Sequence, residues 1–293
     1  TSFPNYPLQA GMGGVPPNIL FILDDSGSMD YLEMPEDEDD LEDNPGDRSY
    51  LNNTIYYNPA KTYETWRTGA GTNRMSGGTS VTGVYANTAQ LADLRNIVDS
   101  DESVFYGPKD GVTKSADPDD FTRYFVTELN GSIVVATVTR RSIQDQSGIG
   151  VPARDQVEFQ VEVPQGTERL EVYTSGGSGD ARLIVYSPVG NVSCDRDQAN
   201  GNNESCILDG NIGTGVRTIE VRATGRNRIS NLRLQVFVSS PVAQIPPGTD
   251  RTTQEAELNN FATWYSYHRS RMTVAKAGAS GAFADLGTGF RVG

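Results

Sequence analysis

The chain contains no run of about eighteen apolar residues, the length that a spanning helix needs, so no membrane span is expected. It holds a single histidine, His268, and neither His-Glu-Xaa-Xaa-His nor Gly-Xaa-Ser-Xaa-Gly occurs. Their absence removes two common hydrolase patterns, and His268 reads as structural. Positive charge is scarce: 24 Lys and Arg stand against 38 Asp and Glu, a formal net charge of -14. A protein that grips a phosphate backbone needs the opposite balance, so nucleic acid is excluded as a partner and divalent cations suit the chain better. The N-terminus also lacks the basic-then-apolar pattern of a secretory leader, and the sequence is expected to begin after processing.

Cysteine is almost absent. Cys194 and Cys206 bracket a polar loop, 195–205, between strand-like apolar segments. A disulfide closing it fits an oxidising, extracytoplasmic compartment, and two free thiols in a cytosolic protein are the other reading. Zinc ligation by the pair would need further Cys or His nearby, and there is none.

What is present falls into four stretches. Residues 1–30 carry the apolar run Asn18-Ile19-Leu20-Phe21-Ile22-Leu23, which predicts a buried central strand of a parallel sheet. It ends in the polar loop Asp24-Asp25-Ser26-Gly27-Ser28-Met29. Residues 31–149 are an irregular, acidic and Tyr/Asn-rich stretch, with a helix expected over 88–98 and a strand over 131–140. Residues 150–240 alternate polar with apolar at period two, as in Val157-Glu158-Phe159-Gln160-Val161 and Leu232-Arg233-Leu234-Gln235-Val236, with Gly, Ser and Asn clusters between. That texture predicts a small antiparallel β-sandwich. Residues 241–293 hold a Pro-rich linker and then one long helix over 252–286, with Leu258, Phe261, Tyr265, Met272 and Phe283 along one face.

Asp24, Ser26 and Ser28 make an Asp-Xaa-Ser-Xaa-Ser motif. One carboxylate and two hydroxyls on a tight loop can supply part of the shell of Mg²⁺, a hard cation that wants about six oxygens. A vacant position then accepts an acidic group from a partner. A Ser- and Gly-rich turn capped by Asp is the plainer reading. Asp25-Ser26-Gly27 also matches half of an aspartic protease signature, but the second Asp-Ser-Gly or Asp-Thr-Gly of the required carboxylate pair is missing.

The loop resembles the metal-ion-dependent adhesion site of von Willebrand A domains. Asn52-Asn53-Thr54-Ile55-Tyr56-Tyr57-Asn58-Pro59 onward to Trp66 resembles the segment that follows that site in PilY-type pilus tip proteins, as does Asn259-Asn260-Phe261-Ala262-Thr263-Trp264 onward to Met272. The resemblance implies an α/β fold, a partial von Willebrand A domain with a Rossmann-like parallel sheet, interrupted by an all-β sandwich. It implies Mg²⁺ or Mn²⁺ at Asp24, Ser26 and Ser28, and an extracellular adhesin, not an enzyme, at the cell surface or pilus tip of a bacterium. Pilus components or a surface protein ligand are the implied partners. Residues 150–240 resemble the pre-peptidase C-terminal sandwich, on Val163-Pro164-Gln165-Gly166-Thr167 and Ser175-Gly176-Gly177-Ser178-Gly179-Asp180. The family completes its metal shell with a Thr and an Asp on later loops, beyond the end of this chain. The rest of the same protein, or neighbouring chains, is therefore expected to supply what is missing and to cover 19–23.

The acidic tract with Asp37, Asp39 and Asp40 could gather Ca²⁺, though it lacks EF-hand spacing; a solvated, self-repelling loop is the other reading. Tyr56, Tyr57, Tyr63 and Trp66 read either as an exposed contact surface or as packing.

Overall fold

The computed structural model describes residues 18–31, 45–68, 73–87, 90–96, 103–113, 115, 117–197, 201–210, 212–285 and 291–292. The chain divides into two compact units, 1–127 with 245–293, and 128–244. In chain order the strands are β1 (Asn18–Ile19), β2 (Val84–Asn87), β3 (Gln90–Ala92), β4 (Val104–Pro108), β5 (Phe121–Leu129), β6 (Ser132–Val151), β7 (Gln156–Val163), β8 (Arg169–Ser175), β9 (Ala181–Tyr186), β10 (Val192–Arg196), β11 (Ser205–Asp209), β12 (Gly215–Ala223), β13 (Ile229–Ala243) and β14 (Arg291–Val292). The helices are α1 (Gln254–Tyr267) and α2 (Arg271–Asp285).

The second unit is a β-sandwich. Its strands run β10-β9-β12-β7 in one sheet and β11-β8-β13-β6 in the other. The period-two pattern sends Val161 and Val163 of β7, Leu170 and Val172 of β8, Ile219 and Val221 of β12, and Leu234 and Val236 of β13 into one core. Each such side chain is worth roughly 1.5–3 kcal/mol when fully buried. On the outer face Glu171 ties its neighbours together: Arg140 Nε donates to it at 2.5 Å, Tyr173 Oη at 3.1 Å, and the Arg140 guanidinium lies 3.8 Å from the Phe237 ring centre. Gly177 has to be glycine, since its φ is +70° and a Cβ there would fall 2.2 Å from the Ser230 carbonyl oxygen. Cys194 on β10 and Cys206 on β11 form a disulfide across 12 residues. Those are the edge strands of the two sheets, so the bond joins one sheet to the other.

In the first unit α1 is buried on nearly every side, by polar as well as apolar residues. Thr253 caps its start, its hydroxyl accepting from the Ala256 N–H at 3.2 Å, and Glu255 and Glu257 favour the positive end of the helix dipole. Residues 53–68 and 73–83 have little regular structure, so their backbone groups need partners from elsewhere. The helix supplies them. Asn260 accepts from the Tyr63 N–H at 2.8 Å and donates to the Lys61 carbonyl at 3.0 Å. Trp264 Nε1 donates to Ile55 O at 2.9 Å, Ser266 Oγ to Gly78 O at 2.7 Å, and Tyr267 Oη to Gly77 O at 3.0 Å. Tyr57 sits at the centre of an aromatic cluster with Phe105, Phe261 and Trp264, ring centres 4.8 to 5.7 Å apart. Beneath it lies Glu257, fully buried, accepting from Tyr57 Oη at 2.6 Å and from Arg251 Nε at 2.6 Å. Arg251 also donates to the carbonyls of Pro59 and Lys61. Burial, and then the Glu257 charge, push the Tyr57 hydroxyl well above its usual range.

Several sequence expectations are corrected here. The fold is mainly β with antiparallel sheets, and among the described residues there is no α/β, Rossmann-like parallel sheet of the von Willebrand A kind. β1 is two residues long, pairs in parallel with β14, and among the described residues has no other neighbour. Leu20 and Ile22 are 77% and 80% exposed. An apolar run shows that residues would gain from burial; it does not provide the flanking strands that bury them. Of this run only Phe21 meets an aromatic partner, Phe283 edge-on at 5.0 Å. The single long helix is two helices. His268 closes α1, its N–H donating to Trp264 O at 2.7 Å. Ser270 and Thr273 then open α2 with reciprocal bonds: Ser270 N–H to Thr273 Oγ1 at 2.8 Å, and Thr273 N–H to Ser270 Oγ at 3.3 Å. Over 90–96 the expected helix is instead β3, paired with β2, and a 3₁₀ turn at Leu94–Asn96. Tyr56 and Tyr57 are buried, so packing is their role, while Tyr63 and Trp66 are half-buried. Asp37, Asp39 and Asp40 lie outside the described residues.

Two stability measurements follow. Both tryptophans, Trp66 and Trp264, lie in the first unit, so their fluorescence reports its unfolding. Arg251→Met, which strands the Glu257 charge, is expected to cost about 3–5 kcal/mol in urea titration, and Arg251→Met with Glu257→Leu less than that. The Cys194→Ser/Cys206→Ser pair is expected to cost the sandwich about 3 kcal/mol, read as a lower Tm by circular dichroism.

Candidate metal centre

The motif loop leaves β1 and turns at once into a short 3₁₀ helix, Gly27–Asp30. Two backbone bonds shape it, Met29 N–H to Ser26 O at 2.9 Å and Tyr31 N–H to Ser28 O at 3.4 Å. The Asp24 carboxylate accepts from the Ser26 N–H at 2.9 Å, and the Ser26 and Ser28 hydroxyl oxygens stand 3.1 Å apart. All three side chains named from the sequence therefore come together on one turn. Asp24 and Ser26 face solvent, with Ser28 partly covered. The Ser26 backbone N–H, and then its hydroxyl, hold the Asp24 carboxyl below the ordinary carboxylate range. It stays ionised through the acid side of neutrality, as a ligand for a hard cation must.

The loop is anchored against α2. The Arg271 N–H donates to Tyr31 O at 3.1 Å, and the Arg271 guanidinium stands 5.4 Å from the Tyr31 ring centre. No sequence signal pointed to this contact, because 240 positions of unrelated texture separate the two residues. The donor set fits Mg²⁺ or Mn²⁺ in kind: three hard oxygens, a single negative charge, and an open side for water or a carboxylate. Among the described residues no group of three or more His, Cys, Asp or Glu side chains gathers as a metal site. Asp25 is exposed beside the motif. Asp117 caps a 3₁₀ turn, accepting from the Asp119 N–H at 3.0 Å, which gives that acidic group a structural use. His268 lies in the first unit with Nε2 2.8 Å from the Glu64 carbonyl oxygen, and burial lowers its pKa.

No known protein family's sequence profile matches the chain, and no curated protein sequence matches it. Among solved structures it is similar over part of its length to the pre-peptidase C-terminal domain of a collagenase from Bacillus anthracis. That match has 14% identity, 34% of this chain against 88% of the other, and a TM-score of 0.24. A Bacillus endospore appendage, from a family of disulfide-linked pili, aligns at 12% identity, 36% against 89%, with a TM-score of 0.25. A carbohydrate-binding module solved with calcium and xylotriose aligns at 13%, 35% against 99%, with a TM-score of 0.24. Scores this low say nothing about what the chain does.

Proposed function

We propose that the chain is an extracellular, non-enzymatic adhesion protein of the pilus-tip or cell-surface kind, which docks a carboxylate-bearing partner through a divalent ion held by Asp24, Ser26 and Ser28. The observation that carries this reading is the convergence of those three oxygens on a solvent-facing turn, with the carboxylate held ionised. The disulfide supports an oxidising compartment. No helix among the described residues is long and apolar enough to cross a membrane. The two stretches that resemble pilus-tip proteins pack on each other in one core, Tyr57 against Phe261 and Trp264, which supports treating them as one module. An ion with a vacant position suits docking, since it binds a partner's carboxylate without changing it. Titration calorimetry should show Mg²⁺ or Mn²⁺ binding to the wild type and its loss in Asp24→Ala, with Tm unchanged without metal. Equal heats from both proteins would remove the reading.

A second reading has its own observation. Leu20 and Ile22 stand exposed next to a two-stranded sheet, and so short a sheet is not stable by its own pairing. A structural subunit of an extracellular assembly, in which a neighbouring chain covers these side chains, accounts for them. Light scattering and electron microscopy of the purified protein should then show assemblies that Leu20→Ser/Ile22→Ser abolishes; a strictly monomeric wild type would rule this out.

A further inference from the structure

A groove of about 320 Å³, lined by no residue of the motif loop, opens in the first unit between the extended segment 62–67 and the small-residue face of α2 formed by Ala277, Ser280 and Gly281. That volume lies at the lower end of small-ligand pockets, about 300–1,000 Å³. Trp66 and Tyr63 are among its lining residues. Trp66 is fixed by its indole N–H, which donates to Tyr267 O at 2.9 Å, and Lys276 Nζ stands 5.8 Å from its ring centre. Tyr63 is held between Tyr57, stacked with centres 5.6 Å apart, and the His268 ring at 5.2 Å. Its rim carries two exposed ion pairs, Arg67 with Asp285 at 2.6 Å and Arg74 with Glu64. The rim is thus neutral in sum but dense in planar groups that hydrogen-bond through two atoms at once.

Two features decide the chemistry of the occupant. The paired charges cancel, so a strongly charged ligand gains nothing by approaching. The backbone beside the groove is already engaged: Glu64 O to His268, Thr65 O to Arg74, Trp66 O to the Met75 N–H at 2.8 Å, Arg67 N–H to Ser280 Oγ at 3.3 Å, and Thr68 N–H to Asn73 O at 2.9 Å. A peptide adding as a strand would find no free ladder there. Recognition has to come from side chains, and the Trp66 ring beside bidentate carboxylates and guanidinium groups matches a molecule with one C–H face and pairs of adjacent hydroxyls.

We infer that this groove binds a neutral saccharide of one or two hexose units, its ring laid against Trp66 and its hydroxyls taken by Glu64, Arg74, Asp285 and Arg67. The site is independent of the metal loop and works whether or not the loop holds an ion. Each rim carboxylate that takes a hydroxyl exchanges water for a charge-assisted bond, so its loss weakens binding about tenfold.

Trp66 makes the test direct, because the other tryptophan, Trp264, is 2% exposed and distant from solvent quenchers. Titration of the full chain with cellobiose, maltose and lactose, with EDTA present, is expected to give a saturable change in tryptophan fluorescence for at least one of them. Glu64→Gln and Asp285→Asn, at exposed rim positions that should leave the fold intact, are expected to raise the Kd about tenfold with Tm unchanged. No saturable change with any of the three sugars overturns the proposal. So does a change that both rim variants leave intact, or a response to a strand-forming peptide in place of the sugars.

Discussion

The first unit depends on one buried carboxylate. Glu257 has no exposed surface, and a charge there is tolerable only while Arg251 and the Tyr57 hydroxyl hold it. Satisfying it draws together three stretches: the irregular segment around 57, the end of the Pro-rich linker at 251, and the first turn of α1. Once they meet, the remaining polar side chains of α1 face the carbonyls and N–H groups of 55–85, and the aromatic rings close over them. Gly78 shows how tight the fit is, with φ +65° and a Cβ position 2.6 Å from the Tyr85 ring and 2.9 Å from Ser266 Oγ. Residues 53–68 and 73–83, with so little regular structure of their own, are held because a helix answers their backbone.

Both candidate sites inherit their geometry from that arrangement. Where α1 stops at His268 determines where Ser270 can start α2. The first N–H of α2, on Arg271, holds Tyr31 and with it the turn bearing Asp24, Ser26 and Ser28. The same break sets His268 against Tyr63 and lets the small residues of α2 face Trp66. Motif loop and groove are thus two products of one helix boundary.

The sandwich was legible in the sequence because its signal is local. Alternation in Val157–Val163 or Leu232–Val238 names both the strand and the face that turns inward, and Cys194 and Cys206 flank a loop short enough to close. The motif loop was legible for the same reason, since Asp24, Ser26 and Ser28 lie within one turn. The misreadings arose where local pattern had to stand for distant partners. The run 18–23 looks like a central strand, but only β14 comes beside it. The face running from Leu258 to Phe283 looks like one helix, although Ser270 and Thr273 are three apart and form a recognisable capping pair; the apolar period hid it. Tyr57 and Trp66 left surface and core undecided because their partners lie about 200 residues away. The groove's ion pair of Arg67 with Asp285 spans 218 residues and left no trace in either neighbourhood.

The disulfide has a mechanical consequence. Because Cys194 and Cys206 sit on the outermost strand of opposite sheets, load that would peel β10 or β11 away is carried by a covalent link instead of by successive hydrogen bonds. The sandwich is therefore reinforced on that flank. That reinforcement is lost as soon as the surroundings become reducing.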